Sequence, residues 1–484
     1  MAVVTAFASA TNILAALRAG ETAAVEVVSL YRDRRELLKS RVNSIVTPNY
    51  AAAIENARMV DEVGWRTAGR LAGLPMTIKD GIHVAGLPST GGIIRPELCV
   101  ASEDGPCVQR LRNDGAIVLG KTNVPVGNGD WQTNNALFGR TCNPWNPGLT
   151  AGGSSGGGAA AVAAGLTAAE LGSDIGGSIR IPAAFCGVFG HKPTNTALPR
   201  GGHYPGGNLA NPAASLGVQG PLARSAVDLE TLLDVLCGPE GLEAKGWRLE
   251  LPCARFERLR DCRLGVLRLP PWIRVEQSIL EVQQWLVEQL SAMGTPVQEV
   301  DITSAFGDYS ESYRHYLVLL QCLIGSELSA NARQKAAAKL RAYQDSFLDA
   351  VADGLVAGAG AMLGMLESAE LHKRRWESVF EDIDVLLSPV CNSNAIPHDD
   401  AFFYDRTLSV DGHAIPYYQL SALPSIASFA GLPATAFPTG RYNAAGVPIG
   451  LQVMGAYLED RSTLRFACLI EKEIAGFTPP PGLD

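Results

Sequence analysis

Apolar residues in the first sixty positions recur every three or four places, with polar residues between them. Residues 11–19, 22–38 and 49–63 therefore read as amphipathic helices, the second with Thr22 as its expected N-cap. The rhythm then changes. Residues 74–78 form a short apolar run, the mark of a strand buried on both faces. Residues 108–113 and 116–119 read as helix, turn and strand. Further on, strands at 263–267 and 297–300 flank a helix at 276–293. Residues 311–366 are mostly helical in pattern, and 385–387 and 449–453 read as late buried strands. Alternating helices and strands predict an α/β layer architecture. The length of 484 residues allows about three domains, but no repeat, heptad run or linker divides the chain. One large α/β domain over residues 1–484 is expected.

One stretch departs from this rhythm. Between Gly127 and Gly220 the chain is poor in charge and rich in Gly, Ser, Ala, Pro and Asn. A flexible linker would not contain the apolar segments 159–166 and 179–188, which need burial. The tract is therefore expected inside the fold, where glycine lets backbone approach a ligand closely. Hydrophobic residues make up 47% and charged residues 18%, which suits a large core and opposes disorder. The net charge is -9 and Lys and Arg are scattered, so the basic stripe of a nucleic-acid binder is missing. The longest run of small apolar residues, 156–166, is too short to span a bilayer. Residues 1–10 lack the basic start of a signal peptide. Ten cysteines occur without a C-x-x-C pair, and H-E-x-x-H is absent, which argues against a zinc site or a disulfide framework. The expectation is a cytoplasmic enzyme, monomer or homodimer, with no metal or cofactor and no nucleic-acid or membrane partner.

Three motifs offer chemistry. Gly115 to Thr122 spells the phosphate-loop pattern G-x-x-x-x-G-K-[ST], but its middle residues Ala116, Ile117, Val118 and Leu119 favour a strand, and Pro125 opposes the helix that must follow. Nucleotide binding is rejected. Gly152-Gly153-Ser154-Ser155-Gly156 contains G-x-S-x-G, the serine elbow of α/β-hydrolases, which needs a strand directly before it. Asn143-Pro144-Trp145-Asn146-Pro147-Gly148 cannot be a strand interior. In the third, Gly172-Ser173-Asp174-Ile175-Gly176-Gly177-Ser178-Ile179-Arg180-Ile181-Pro182, two glycines lead into a serine, so successive amides can form a nest for an oxyanion. Asp174 and Arg180 flank that turn and are placed to brace it. Upstream, Lys79 ends the strand read at 74–78. A lysine held in apolar surroundings loses its proton near neutral pH and can act as a base.

Taken together these motifs closely resemble the amidase signature family of serine hydrolases. The resemblance runs from about residue 71 to 239 and returns at about 430 to 454. It is carried by G-G-S-S-G-G, by G-S-D-I-G-G-S-I-R-I-P, and by Phe185-Cys186-Gly187 and Lys192-Pro193-Thr194. It implies one α/β/α domain on a large mixed sheet, with the helical region at about 305–380 on the substrate side. It also implies a Ser, cis-Ser, Lys triad. Ser178 matches the nucleophile, Ser154 the bridging serine on a cis peptide bond, and Lys79 the base. The backbone amides of Ile175, Gly176, Gly177 and Ser178 match the oxyanion hole, with Ser155, Asp174 and Arg180 in support. Many relatives carry an acidic residue and an aromatic after the Lys-Thr-Asn segment; here stand Val126, Gly127, Asn128 and Gly129. Asn128, Gly129 and Trp131 are expected to line the substrate cavity. The loop 197–217, with His203 and Tyr204, also departs from the usual pattern. His203 is expected to influence KM through that loop and to be dispensable for the chemical step. The activity implied is hydrolysis of small aryl or alkyl amides, with carbamates and esters as side substrates. The alternative is the glutaminase subunit of a tRNA-dependent amidotransferase.

Overall fold

Segments from almost the whole chain meet in one sheet. The computed structural model describes residues 4–65, 69–94, 100–203 and 216–483. In chain order its strands are β1 (Ile45–Pro48), β2 (Pro75–Lys79), β3 (Ile117–Thr122), β4 (Asn134–Asn135), β5 (Gly139–Arg140), β6 (Ala169–Asp174), β7 (Phe189–Lys192), β8 (Val218–Ala223), β9 (Leu264–Arg268), β10 (Val297–Asp301), β11 (Val385–Pro389), β12 (Thr407–Val410), β13 (His413–Pro416), β14 (Ala434–Tyr442) and β15 (Pro448–Met454). Among the described residues eleven of them form a mixed sheet ordered β1-β3-β2-β6-β8-β7-β14-β15-β11-β9-β10; β4 with β5 and β12 with β13 are separate two-stranded ladders. The expected α/β fold is the one observed. β2 runs parallel to both β3 and β6, and every residue of the three is buried. Gly115 to Thr122 is thus mostly strand β3, without the loop and helix of a phosphate site.

Small residues let helices lie close to this sheet. The helix Gly156–Ala163 is buried at every position. A Cβ added at Gly158 would stand 2.4 Å from Glu170 Cγ on β6, so only glycine fits there. The helices Tyr309–Ile324, Ala330–Arg341, Ser346–Val356 and Ala359–Asp382 occupy most of the region read as helical.

One helix start differs from the expectation. The second helix is Ala24–Val42 and Thr22 does not cap it. Asp61 reaches across from the helix Tyr50–Val63 and accepts the amides of Ala24 (2.7 Å) and Val25 (3.1 Å). Thr22 instead donates its hydroxyl to Glu26 (2.9 Å). A carboxylate from a neighbouring helix satisfies the free N-terminal donors that a local side chain usually takes.

Candidate active site

β2 delivers Lys79 as its last residue, with no exposed surface. Its Nζ lies 2.7 Å from Ser154 Oγ, 2.9 Å from Ser173 Oγ and 3.5 Å from the Ser173 carbonyl. Burial disfavours the ammonium and lowers its pKa to about 7, against the opposing pull of Asp174 and Glu170. Asp80, next in sequence, turns away: its carboxylate accepts from the amides of Thr90 (3.0 Å) and Gly91 (2.7 Å).

Ser154 follows a cis peptide bond, Gly153-Ser154, in a turn before the helix Gly156–Ala163. No strand precedes it directly, so the serine-elbow geometry is absent. Ser155 clips this turn to the next. Its amide donates to the Ser178 carbonyl (3.0 Å), and its hydroxyl donates to the Ser173 carbonyl (3.1 Å) and accepts the Ser173 amide (3.2 Å).

Ser178 stands in the turn between β6 and the helix Arg180–Cys186, and this turn is built around Asp174. The carboxylate accepts from the amides of Gly177 (2.9 Å) and Ile179 (3.0 Å) and from Arg180 Nε (3.0 Å) and Nη2 (2.9 Å). Burial raises the Asp174 pKa, but the Arg180 charge and these hydrogen bonds outweigh it and bring the value to about 2. Gly177 adopts a φ of 96°, a conformation that strains any L side chain. Two side chains hold the same turn by its carbonyls. Tyr316 donates its hydroxyl to Ile175 O (3.2 Å), and Trp131 donates its indole N–H to Gly176 O (3.0 Å).

A cavity of about 310 Å³ opens on this turn. Ile175, Gly176 and Ser178 form its floor, and Asn128, Gly129 and Trp131 line one side, where the sequence places them. The remaining walls are invisible in the sequence pattern. They include Tyr316, Leu317, Leu320 and Ile324 from one helix, Val351 from another, and Phe403, Tyr404 and Tyr418 from a segment 275–290 positions downstream of Asn128. Among the described residues Asp130 is the one charged group lining the cavity, and its charge is engaged: Arg406 Nη1 (2.6 Å) and the Tyr417 hydroxyl (2.7 Å) both donate to it. Tyr204 lies outside the described residues. Among the described residues no group of three or more His, Cys, Asp or Glu is placed to hold a metal ion, and no helix is long and apolar enough to cross a membrane.

The Amidase family matches residues 26–464. The chain belongs to the amidase family. Indoleacetamide hydrolase of Bradyrhizobium diazoefficiens is 30% identical over 461 residues, covering 93% of this chain and 84% of that protein. A glutamyl-tRNA(Gln) amidotransferase subunit of a Synechococcus species is 31% identical over 501 residues, covering 96% of each chain. In structure the amidase is similar to 6-aminohexanoate cyclic dimer hydrolase, with a TM-score of 0.81, 25% identity, and coverage of 99% of this chain and 100% of that one. The protein is a hydrolase of carbon–nitrogen bonds in amides, as its family is.

Beneath the lysine this amidase buries a carboxyl group. Glu170 on β6 accepts from the Thr122 hydroxyl (2.6 Å) and has no exposed surface. Burial pushes its pKa up to about 7. A carboxyl raised above its unfolded value favours folding fully only below that unfolded value. Its contribution is lost as pH rises through the folded value, because the buried group must then ionise. Glu170→Gln keeps the Thr122 bond and cannot ionise. The variant is expected to melt at a higher temperature than wild type at about pH 8.5 and at nearly the same temperature at about pH 4.5. Thermal melts at both values check this; a gain of equal size at both would show that titration of Glu170 is not the cause.

Proposed function

We propose that this amidase is a free-standing hydrolase of small amides carrying an apolar aryl or alkyl group, acting through an acyl-enzyme on Ser178. Neutral Lys79 takes the proton of Ser154 while Ser154 takes that of Ser178, and Ser178 Oγ attacks the amide carbonyl. The amides of Ile175, Gly176 and Ser178 receive the oxyanion, each such donor contributing about 10²–10³ in rate. The Gly177 amide, expected from the resemblance as a fourth oxyanion donor, instead donates to Asp174 (2.9 Å) and sets the shape of the turn. Protonated Lys79 returns the proton through Ser154 to the leaving nitrogen, which departs as the amine. Water then attacks the acyl-enzyme by the reverse relay. Carbamates and esters fit the same sequence of steps.

The observation that carries the substrate class is the cavity wall. Its apolar and aromatic side chains and its ion-paired Asp130 suit an uncharged guest. The second reading, a glutaminase of the amidotransferase kind, is favoured by the likeness to the Synechococcus protein. Glutamine brings an ammonium and a carboxylate, and among the described residues the wall offers no unengaged charge to either. Burying such groups unpaired costs several kcal/mol, about 2–5. A panel of anilides, arylacetamides, aliphatic amides, carbamates and glutamine on the purified chain tests the choice. Anilides and arylacetamides are expected to show kcat/KM at least about tenfold above glutamine. Ammonia released fastest from glutamine would overturn the reading.

A further inference from the structure

Lys79 has a second hydroxyl neighbour that the relay leaves unused. Ser173 Oγ lies 2.9 Å from Lys79 Nζ and 2.8 Å from His203 Nε2. His203 is anchored there by backbone, not left to a free loop. It forms an antiparallel bridge with Ile82, three residues beyond Lys79, and the adjacent Gly202 carbonyl accepts the His83 amide (2.8 Å). We propose that His203 is a positioning residue for the lysine base, acting through Ser173 to aim the Lys79 lone pair at Ser154. This rests on the reading of Lys79 as the base, and it replaces the expectation that His203 acts on KM alone.

The number of hydrogens on each partner decides which way the lone pair faces. A neutral amine has two N–H groups and one lone pair. To take a proton from Ser154, the lone pair must face Ser154 Oγ. Ser173 has a single hydroxyl hydrogen, and two neighbours can accept it: His203 Nε2 or the Lys79 lone pair. When His203 accepts it, Ser173 Oγ is left as an acceptor. One Lys79 N–H then points to Ser173 Oγ and the other towards the Ser173 carbonyl at 3.5 Å, which leaves the lone pair for Ser154. Without an acceptor at position 203, the Ser173 hydrogen turns onto the lysine and competes with Ser154 for its lone pair. The device needs an unprotonated Nε2. Burial, with Lys79 and His83 as like charges nearby, holds the His203 pKa down to about 3. Lys121 faces His83, and Asp174 and Glu170 face Lys79. The ring therefore stays neutral wherever the lysine works, with its hydrogen on Nδ1.

Steady-state kinetics of wild type, His203→Phe and His203→Gln on an anilide, across about pH 5–10, test the assignment. Phe fills the space without an acceptor; Gln restores one. For His203→Phe, kcat is expected to fall about 10–100-fold with KM within about twofold, a partial loss of the roughly 10²–10⁴-fold that a general base contributes. The acid limb of kcat/KM should also move to lower pH, because the Ser173 hydrogen has no acceptor beside the ammonium but gains one in the neutral amine. His203→Gln should recover most of kcat and return the limb. In a Ser173→Ala background, His203→Phe should change kcat by less than about twofold, because the link through the hydroxyl is already gone. Should His203→Phe fail to fold, Ser173→Ala alone carries the test, since it removes the hydroxyl through which His203 acts together with an acceptor of the ammonium, and must lower the limb. An unmoved limb in that variant, or a His203→Phe enzyme that changes only KM, overturns the proposal. A wild-type profile with no acid limb near neutrality overturns the lysine base itself; a normal wild-type limb that His203→Phe leaves in place overturns the role of His203 alone.

Discussion

Replacing Ser178 by alanine is expected to lower anilide hydrolysis by about 10⁴–10⁶-fold, the usual loss when a nucleophile that acts with its base is removed. The fold should survive the change. Only the hydroxyl is lost, while the Ser178 carbonyl keeps the Ser155 amide and the flanking amides of Gly177 and Ile179 remain on Asp174. Melting temperature is therefore expected to stay within a few degrees of wild type. A fluorophosphonate probe should label wild type and leave the variant unlabelled. Equal labelling of the two proteins would place the nucleophile elsewhere.

Lys79→Met should be nearly as inactive, by about 10³–10⁵-fold, and at least as stable as wild type. A thioether of similar length fills the space and removes a buried ammonium whose pKa is already depressed to about 7. Lys79→Arg separates charge from basicity: guanidinium stays protonated and cannot take the Ser154 proton. It should match Lys79→Met in activity. The wild-type rate is expected to rise as pH passes through about 7 and to hold into the alkaline range, because the lysine works only when neutral. Glu170 titrates in the same range, so the limb should be measured in Glu170→Gln as well. There it should persist, shifted slightly down by the loss of a carboxylate that stabilises the ammonium. A Lys79→Arg enzyme with most of the wild-type rate would make the lysine an electrostatic support and end the relay.

The parts of this site legible in the sequence are those that depend on local chemistry. The apolar run at 74–78 marks β2 and puts Lys79 at its end, and the glycines around Ser154 and Ser178 mark turns that need small residues. β6 escapes the same reading. Ala-Glu-Leu-Gly-Ser-Asp has no β-branched residue and carries three polar side chains, yet all six positions are buried. Their partners, Thr122, Lys79 and Arg180, come from outside the strand, and an apolar pattern cannot record them. Pro221 in β8 and Pro438 in β14 hide those strands in the same way. Ser173 stands inside the third motif, but its contact with His203 joins residues 30 apart, and Tyr316 reaches Ile175 across 141. Helical periodicity shows that Leu317, Leu320 and Ile324 share a face. What that face looks onto is set by tertiary packing.

The helices that wall the cavity hold none of the residues proposed to break the bond. Lys79, Ser154 and Ser178 sit on the sheet and its turns, tied by Ser155 and Asp174. Leu317, Leu320, Ile324 and Val351 come from two helices that begin more than 120 residues after Ser178. This part of the selector is therefore inherited on a stretch of sequence separate from the proposed catalyst. Mutation at these four positions can remodel the guest list without touching the proposed proton relay, and a lineage carrying this scaffold can change its diet one such residue at a time while its chemistry stays in place.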